Sequence, residues 1–596
     1  MKERHSRRTW FQKVAAGTAS VWLASRGRSS SASPSQAPGN GTVSPLTSTS
    51  DVLVPPRGRS FMKLSFDFPE PSVSFEGLSL GFRVFTYENV FGLDPERLTV
   101  EAREDGLVVR CSRFVWAGGQ ERAPGRLEAL VLKAGGGVEV RTTVEMDAPI
   151  KAAAVIVRGV PRGMLSCAGQ RFFDPKDDEV LMGYPFSGGD LFGPGAAMGM
   201  PTPIALVKRR EGEYFFLSSR DDRVRAKRFY FQPGESSYRV EAVFETEGWT
   251  RPTRVVVPPW RFGRTASVGD AVRPHVEHLE RAYRLPRWET REDAPSWLRE
   301  IALVVTLHGM HYTGYVFNDY ARTLEILRWI AARIPARRVL AFLAAWDGRY
   351  YWDYPSYEAS ERMGGEAGFR TLVREGQALG FRMMPMFGAN TANRNQSSWS
   401  RFSDAFTEKI DGDRADLNWV DWDNDRHQDG WLSYMNLGVD SWRLWLTERI
   451  ASVVERFGVD AYFLDIAGGW INNPKADMHE GTRRLVLDLR ARFPGVVAVG
   501  EMHYDALLEF LPLYHSFSQV EIAPHIQRFG RFFQHLSLPA PGRGSTGVHE
   551  AGFQRFNPDT LGLTEFQIPT LGVVDDTFER HRPQMEAVID RARARA

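Results

Sequence analysis

Two carboxylate residues, Asp465 and Glu501, each end a short apolar run of the chain. Asp465 follows residues 460–464, and Glu501 follows residues 496–500. A carboxyl group at the end of a buried strand must be solvated, hydrogen-bonded or functional. Two such groups side by side can serve as acid and base in one reaction, because one can be ionised while the other holds a proton. The alternative is that either residue forms an ordinary ion pair, for example with Arg349.

The spacing of these two residues predicts a particular chemistry. A single helical segment separates the two runs, so they are predicted to be neighbouring parallel strands. Strands about 4.8 Å apart, with side chains tilted to a common axis, place the carboxyl groups roughly 5 Å apart. Retaining glycosidases use about 5–5.5 Å, whereas inverting ones leave about 6.5–9.5 Å for a water molecule. The spacing therefore favours retention, with one carboxylate attacking the anomeric carbon and the other group protonating the leaving oxygen.

Polar and aromatic residues also follow the other predicted strands. In a barrel of parallel strands, function lies on the loops at the carboxyl ends of the strands. We therefore predict ten substrate-binding residues: His308, His311, Trp346, Asp347, Tyr350, Trp352, Asp353, Asn390, His503 and Glu521. The alternatives are an aromatic cluster at the rim for residues 346–354 and structural hydrogen bonds for the first two histidines.

The elements that must position these residues alternate between strands and helices after about Trp297. The predicted strands are 301–307, 339–345, 381–387, 460–464, 496–500 and 518–522, with weaker candidates at 547–553 and 568–574. Amphipathic patterns predict helices at 320–334, 366–379, 442–457 and 480–493, and three glycines are placed as helix C-caps: Gly380, Gly458 and Gly495. Eight such units in about 300 residues fit a (β/α)8 TIM barrel. An open, doubly wound sheet is the alternative, but no glycine-rich phosphate loop follows a strand.

The preceding half of the chain has a different pattern. Short alternating runs separated by Gly, Pro and Asp turns predict an N-terminal antiparallel β-sandwich. A helical pattern at 268–283 closes this region. The predicted domains are therefore a signal and linker over 1–50, the β-sandwich over 51–290 and the catalytic barrel over 291–596.

The N-terminus resembles a twin-arginine export signal. Arg7 and Arg8 precede a weakly apolar stretch at 14–24, and residues 29–50 are rich in Ser, Pro, Gly and Thr. This pattern predicts export to the periplasm or the medium, and an ordinary basic tail is the alternative. The apolar stretch is too short to span a bilayer, which takes about 20 apolar residues.

Composition excludes several classes of function. The 596 residues include 75 basic and 73 acidic side chains, and no long basic run lies beyond the N-terminus, so a nucleic-acid partner is unsupported. Two cysteines, Cys111 and Cys167, cannot form a four-thiolate metal site, and one disulfide or two reduced thiols remain open. The acidic stretch 421–425 lacks the glycine and glutamate of an EF-hand, and there is no His-Glu-x-x-His or Gly-x-Ser-x-Gly motif. We predict no metal and no cofactor.

A family resemblance rests on two segments. Residues 458–465, Gly-Val-Asp-Ala-Tyr-Phe-Leu-Asp, resemble the fourth strand of retaining glycoside hydrolases related to α-amylases, α-galactosidases and endo-α-N-acetylgalactosaminidases, and Val499-Gly500-Glu501 resembles the fifth strand of the α-amylase-like members. The resemblance implies that Asp465 is the nucleophile and Glu501 the acid/base. α-Amylases carry an arginine where this chain has Phe463, and their seventh-strand His-Asp pair has no clear counterpart among His549, Glu550, Glu565 and Asp575. The resemblance therefore implies a distant bacterial relative.

These observations together predict a glycosidase that acts on a carbohydrate substrate. Two further hypotheses use the same barrel: a non-catalytic carbohydrate-binding protein, and a transglycosylase that passes the sugar to an acceptor instead of water. A barrel aldolase or metal hydrolase would need a strand-end lysine or a cluster of metal ligands, and neither is evident.

Overall fold

The computed structural model describes residues 65–67, 70–116, 121–169, 172–185, 196–311, 313–410, 412–415, 431–501, 503–516, 527–534, 567–574 and 576–594. No helix in these ranges is long and apolar enough to cross a membrane. Cys111 and Cys167 are both buried, and no disulfide joins them in the structure.

The first half of the described chain consists of seventeen strands. They are β1 Ser65–Asp67, β2 Glu70–Phe75, β3 Leu78–Thr86, β4 Val90–Leu93, β5 Leu98–Arg103, β6 Gly106–Trp116, β7 Arg122–Ala134, β8 Gly137–Met146, β9 Ile150–Pro161, β10 Met164–Cys167, β11 Val180–Tyr184, β12 Ala196–Gly199, β13 Ile204–Arg210, β14 Glu213–Ser219, β15 Lys227–Pro233, β16 Ser237–Glu245 and β17 Arg254–Thr265. All their pairings are antiparallel except that of β11 with β12.

Strand pairing in this region follows two runs. One run is β12-β11-β15-β16-β9-β3-β2-β1, and the other is β10-β13-β14-β17-β8-β7-β6-β5. The short strand β4 pairs with β3 of the first run and with β6 of the second. Phe229 of the first run meets Trp260 of the second edge to face, with ring centroids 5.5 Å apart, so the two runs share a buried core.

The second half contains the parallel strands. They are β18 Leu303–Met310, β19 Val339–Arg349, β20 Arg382–Gly388, β23 Ala461–Asp465, β24 Val497–Glu501, β25 Leu513–Ser516, β26 Arg531–Gln534, β27 Gln567–Ile568 and β28 Thr570–Val573. Two short strands, β21 Thr391–Asn393 and β22 Leu432–Tyr434, pair antiparallel in the loop after β20.

The parallel sheet closes on itself. Its strand order is β27-β26-β25-β24-β23-β20-β19-β18-β28, and β27 and β28 are separated only by Pro569. One continuous segment, 567–573, therefore pairs with β26 at one end of the sheet and with β18 at the other. An open sheet would leave two separate edges, so the doubly wound alternative does not fit. The predicted order of antiparallel strands followed by a parallel sheet is confirmed.

Helices lie between several of these strands. The helices of the described residues are α1 Val268–Ala282, α2 Ser296–Arg299, α3 Tyr320–Ala331, α4 Gly365–Leu379, α5 Asp440–Phe457, α6 Met478–Arg492, α7 Thr577–Arg580 and α8 Arg582–Ala594. Gly380 and Gly458 end α4 and α5 in the left-handed conformation that favours glycine. Helix α6 ends instead at Phe493, so Gly495 lies in the following turn and is not its cap.

The sixth strand differs from its prediction. The sixth strand of the closed sheet is β25, Leu513–Ser516, which lies before the predicted segment 518–522. The predicted segments 518–522 and 547–553 lie outside the described residues. The predicted segment 518–522 contains two β-branched residues, whereas 513–516 contains none. Pairing with β24 and β26, and not intrinsic strand propensity, makes 513–516 the sixth strand.

Candidate active site

The carboxylate pair, Asp465 and Glu501, lies at the carboxyl ends of neighbouring parallel strands. Strands β23 and β24 pair in register from Ala461 with Val497 to Leu464 with Gly500. The next step along both strands brings Asp465 opposite Glu501. Both strands are buried along their whole length, and the two side chains are removed from solvent. The fold therefore places the two acidic groups together in a low-dielectric environment.

A strained turn follows Asp465. Ile466 has a φ of 58°, which is a rare conformation for a β-branched residue. The turn directs the backbone N–H of Ile466 to Oε2 of Glu501, at 2.9 Å. Strain of this kind persists only where the surrounding structure holds it, and it is common at functional sites. The backbone next to one acidic group therefore binds the other.

Asn390 holds this turn from the end of the third strand. Its side-chain amide donates to the carbonyl of Ile466 at 2.8 Å and to that of Gly469 at 3.3 Å. Its Oδ1 is buried and has no hydrogen-bond partner among the described residues. Asn390, predicted to bind substrate, thus has a positioning contact in the structure.

His515 is a site residue that the sequence analysis missed. It lies on β25 directly opposite Glu501, and its Nδ1 is 3.6 Å from Oε1 of Glu501. The signal that could have found it is the apolar stretch 506–514, which ends at this histidine as the runs before Asp465 and Glu501 do. Because the sixth strand was predicted at 518–522, His515 was not recognised as a residue at a strand end.

The two carboxyl groups titrate as a coupled pair. Burial, and then the charge of Glu501, raise the pKa of Asp465 well above its ordinary value. Burial alone would also raise the pKa of Glu501, but the neighbouring His515, Asp465 and the Ile466 N–H together lower it. These opposite shifts make Asp465 the group that more readily holds a proton and Glu501 the group that more readily carries a negative charge. One acid beside one carboxylate is the state that glycoside cleavage requires, whether with retention or with inversion.

A tyrosine cluster, Tyr350, Tyr351 and Tyr354, surrounds Asp465. Burial raises the pKa of each phenol well above 10, and the charge of Asp465 is the next largest cause. The ring centroids of Tyr350 and Tyr351 are 4.1 Å apart, and those of Tyr351 and Tyr354 are 5.3 Å apart. Tyr350 was predicted to bind substrate, and the structure places it beside the pair. The cluster therefore places neutral phenols close to the carboxylates.

His308 lies on β18 near His515, where burial and the charge of His515 lower its pKa to about 3. It is therefore neutral at physiological pH. Together with Phe342, Phe463 and Phe533, whose rings surround His515, it belongs to the packed interior of the parallel sheet beneath the pair.

Trp346 lies away from the pair. The left-handed φ of Ala345 breaks the alternation of β19. The indole of Trp346 then stacks on Phe369 of α4, with centroids 4.5 Å apart, and its Nε1 donates to the Met386 carbonyl at 2.9 Å. The residue is buried between the sheet and the helix, so the predicted sugar contact does not fit its position.

Asp347, near the end of β19, and Asp353, in the loop after it, lie close to each other. Burial, and then the charge of Asp353, raise the pKa of Asp347 to about 8, and its Oδ2 has no hydrogen-bond partner among the described residues. Asp353 accepts the backbone N–H of Arg349 at 2.7 Å, and so it holds the loop. Asp347 is buried beside the backbone of Tyr357, and Asp353 has a structural contact.

Trp352 is the half-exposed aromatic residue of this loop. Its ring lies 5.1 Å from that of Trp431, and the guanidinium of Arg349 lies 4.3 Å from its centroid. Trp352, for which sugar stacking was predicted, is therefore packed between Arg349 and Trp431 and half-exposed.

The remaining predicted histidines have local partners. His311 Nδ1 is 2.8 Å from the Thr313 hydroxyl, and its ring packs on Phe317. His503 packs edge to face on Tyr514, on the face of β25 opposite to that of His515. Neither contact brings these two rings to the pair.

Several predicted residues lie outside the described part of the chain. They are Glu521, the acidic stretch 421–425, and the third-carboxylate candidates His549, Glu550, Glu565 and Asp575. Within the described ranges, no three His, Cys, Asp or Glu side chains are grouped so as to hold a metal ion.

The closed parallel sheet with acidic strand ends defines a barrel-type fold class, and solved structures match it. No protein-family model matches the sequence, and a search of curated proteins finds no match. The α-N-acetylgalactosaminidase NagBb from Bifidobacterium bifidum, in complex with GalNAc, has a TM-score of 0.57 at 14% identity, over 76% of this chain and 77% of that chain. Its ligand-free structure has a TM-score of 0.56 at 16% identity, over 76% and 78%. The GH36 α-galactosidase AgaA from Geobacillus stearothermophilus has a TM-score of 0.47 at 10% identity, over 88% and 74%.

The NagBb matches show that this chain shares the fold of that glycosidase. Identities of this size carry no residue roles from one protein to the other.

Proposed function

We propose that this protein is a retaining glycoside hydrolase in which Asp465 is the nucleophile and Glu501 is the acid/base. One observation carries the proposal: the two carboxyl groups lie side by side at the ends of adjacent paired strands, and the backbone N–H that follows Asp465 binds Glu501. The polar loop residues and the tyrosine cluster around the pair support a carbohydrate substrate.

Two displacements complete the proposed reaction. In the first, the Asp465 carboxylate attacks the anomeric carbon, the bond to the leaving oxygen breaks, and the Glu501 proton passes to that oxygen. In the second, the Glu501 carboxylate takes a proton from water, the water oxygen attacks the anomeric carbon, and the bond to Asp465 breaks. Before the first step the shared proton must move from Asp465 to Glu501, a transfer between two groups of one coupled pair.

The reverse division of roles is a second candidate, which the contacts of Glu501 favour. The Ile466 N–H and His515 both lie next to the Glu501 carboxylate, and burial raises the pKa of Asp465. In that case Glu501 would attack and Asp465 would protonate the leaving oxygen.

The test of hydrolysis is a panel of 4-nitrophenyl glycosides in both anomeric forms, beginning with the α-N-acetylgalactosaminide. Asp465→Asn and Glu501→Gln keep the volume of each side chain and should each lower kcat/KM by about 10²–10⁴-fold or more. Matched controls are Asp460→Asn, at the other end of β23, and Glu509→Gln, which pairs with Arg483. Wild-type turnover that survives in either pair variant would refute the proposal.

Azide distinguishes the two divisions of labour. In Asp465→Gly, azide should restore turnover and give a glycosyl azide of inverted configuration if Asp465 is the nucleophile, but of retained configuration if it is the acid/base. Proton NMR reads both this configuration and that of the first sugar released by the wild type, where retention is expected. Glycan binding without any turnover would support the non-catalytic alternative, and products joined to an added sugar acceptor would indicate transglycosylation.

We also propose a complete architecture of a β-sandwich over 51–290 followed by a (β/α)8 barrel over 291–596. The two runs of antiparallel strands with a shared core and the closed parallel sheet support it. A crystal structure that shows helices after each of the later strands would test it.

Export through the twin-arginine route is a further proposal, supported by Arg7-Arg8 and the apolar stretch after them. Replacing both arginines by lysine should retain the protein inside the cell, as fractionation would show. Unchanged export of that variant would refute this route.

A further inference from the structure

Two loops connect the carboxylate pair to the rest of the molecule. One loop, 466–477, begins directly after Asp465 and ends at the start of α6. The other begins after Glu501 and includes Asp505, four residues later. Both loops leave the parallel sheet at the carboxylate pair. Both contact the region of strands β1–β17, residues 65–265, which we call the antiparallel domain.

Asn472 joins the first loop to the antiparallel domain. Its side-chain amide donates to the Thr246 carbonyl at 2.8 Å and to Glu245 Oε2 at 3.2 Å, and its Oδ1 accepts the Gly248 N–H at 2.9 Å. A Cβ at Gly248 would lie 2.5 Å from the carbonyl oxygen of Asn473, so the approach of the two chains requires glycine there. All three hydrogen bonds of this buried amide cross between the domains.

Asp505 joins the second loop to the same domain. Its Oδ1 accepts the hydroxyl of Tyr184 at 2.6 Å, and its backbone N–H donates to the Pro201 carbonyl at 2.7 Å. Tyr184 is itself fixed by Lys227, whose Nζ lies 4.9 Å from the ring centroid and 2.8 Å from Asp221 Oδ2. Asp505, Tyr184, Lys227 and Asp221 are all buried. Asp505 is therefore held in a buried polar network and not by a contact at the protein surface.

The relative position of the Asp465 and Glu501 side chains depends on how both loops are held. The strained turn at Ile466 supplies the N–H that binds Glu501, and Gly468 donates its N–H to the Glu501 carbonyl at 2.9 Å. Asn390 holds this turn from the side of the parallel sheet. The antiparallel domain supplies the second support, at Asn472 and Asp505.

We propose that the antiparallel domain positions the catalytic pair, through Asn472 in the loop after Asp465 and through Tyr184 on Asp505 in the loop after Glu501. We call these two contacts the interdomain clamp. Only its effect on kinetics rests on the proposed function, because its effect on the loops can be measured without a substrate. In this role the domain is part of the catalytic site's support and not a separate glycan-binding module. Asn472, Tyr184 and Asp505 are positioning residues.

Hydrogen exchange read by mass spectrometry tests the clamp without any substrate. Tyr184→Phe removes one hydroxyl, and exchange should rise in 503–516 while 466–477 stays as in the wild type. Asn472→Ala should have the converse effect. The matched control is Tyr214→Phe, which removes the same kind of hydroxyl–carboxylate bond, from Tyr214 to Glu211 at 2.7 Å, within the antiparallel domain. No local rise in either loop, or a uniform rise over the whole chain, would overturn the proposal.

Kinetics on two aryl glycosides test the consequence for the pair. A displaced general acid slows phenyl glycosides more than 2,4-dinitrophenyl glycosides, because the latter leaving group needs no proton. Tyr184→Phe should therefore lower kcat/KM for the phenyl glycoside selectively, and Asn472→Ala should lower both, by about 10–10²-fold. Rates equal to those of Tyr214→Phe would overturn the positioning role.

The two proposals fail in different ways. If the wild type turns over no glycoside, the proposed function fails, and the exchange result alone decides whether the clamp holds the loops. If the two kinetic patterns are interchanged between the variants, the clamp is supported and the roles of Asp465 and Glu501 are reversed.

Discussion

The buried carboxyl of Asp347 makes the stability of this protein depend on pH in a calculable way. Burial, and then the charge of Asp353, raise its pKa from 3.8 to about 8 in the folded state. The unfolded chain releases this proton at lower pH than the folded chain does. The free energy of unfolding is therefore unaffected by this group below about pH 4, falls as pH rises, and reaches its full loss above about pH 8.

The size of the effect follows from the shift. Between the two pKa values each pH unit costs about 1.4 kcal/mol, so raising the pH from about 5 to about 7 should cost roughly 2.7 kcal/mol. Asp347→Asn keeps the shape of the side chain and removes the titration. Relative to the wild type, this variant should gain about that much stability over the same two units.

Urea unfolding at both pH values measures this difference, and subtraction of the wild type removes the other titrating groups. The same substitution at the exposed Asp488 controls for the chemical change. If the stability of Asp347→Asn relative to the wild type changes by less than about 0.5 kcal/mol between the two pH values, the carboxyl is solvated or paired and the reasoning fails.

Three further predictions concern the site. The rate kcat/KM should be bell-shaped in pH, falling at high pH as the pair loses its shared proton and at low pH as Glu501 gains one; a pH-independent rate would contradict the coupled pair. His515→Phe should raise the pKa of Glu501 and move the acidic limb of that profile to higher pH, and an unmoved limb would separate His515 from the chemistry. Asn390→Ala should leave the buried carbonyl of Ile466 unpaired, lowering the free energy of unfolding by about 1–3 kcal/mol and slowing turnover, whereas wild-type values for both would dismiss its positioning contact.

The acidic strand ends could be predicted because their signal is local. A buried apolar run that ends in a carboxylate is visible in the sequence at Asp465 and at Glu501. The order of antiparallel strands and then alternating strands and helices is equally local, since hydrophobic periodicity marks these elements and glycines cap α4 and α5. The strand that carries His515 was misplaced because two neighbouring segments both had strand character, and only pairing with β24 decides between them.

The sequence by itself determined the residue types that can do acid–base chemistry, the strands that end in them, and the change from antiparallel to parallel architecture. The tertiary structure decided which groups share a proton, because the pKa of a buried carboxyl depends on neighbours such as His515 and the Ile466 N–H that are distant along the chain. It also decided that Trp346 packs under a helix while Tyr351 lies at the site, since positive φ angles at Ala345, Gly348 and Tyr351 interrupt the regular alternation of side chains in this segment. Contacts between the domains, such as Tyr184 with Asp505 across 321 residues, leave no periodic trace in the sequence and exist only in the folded chain.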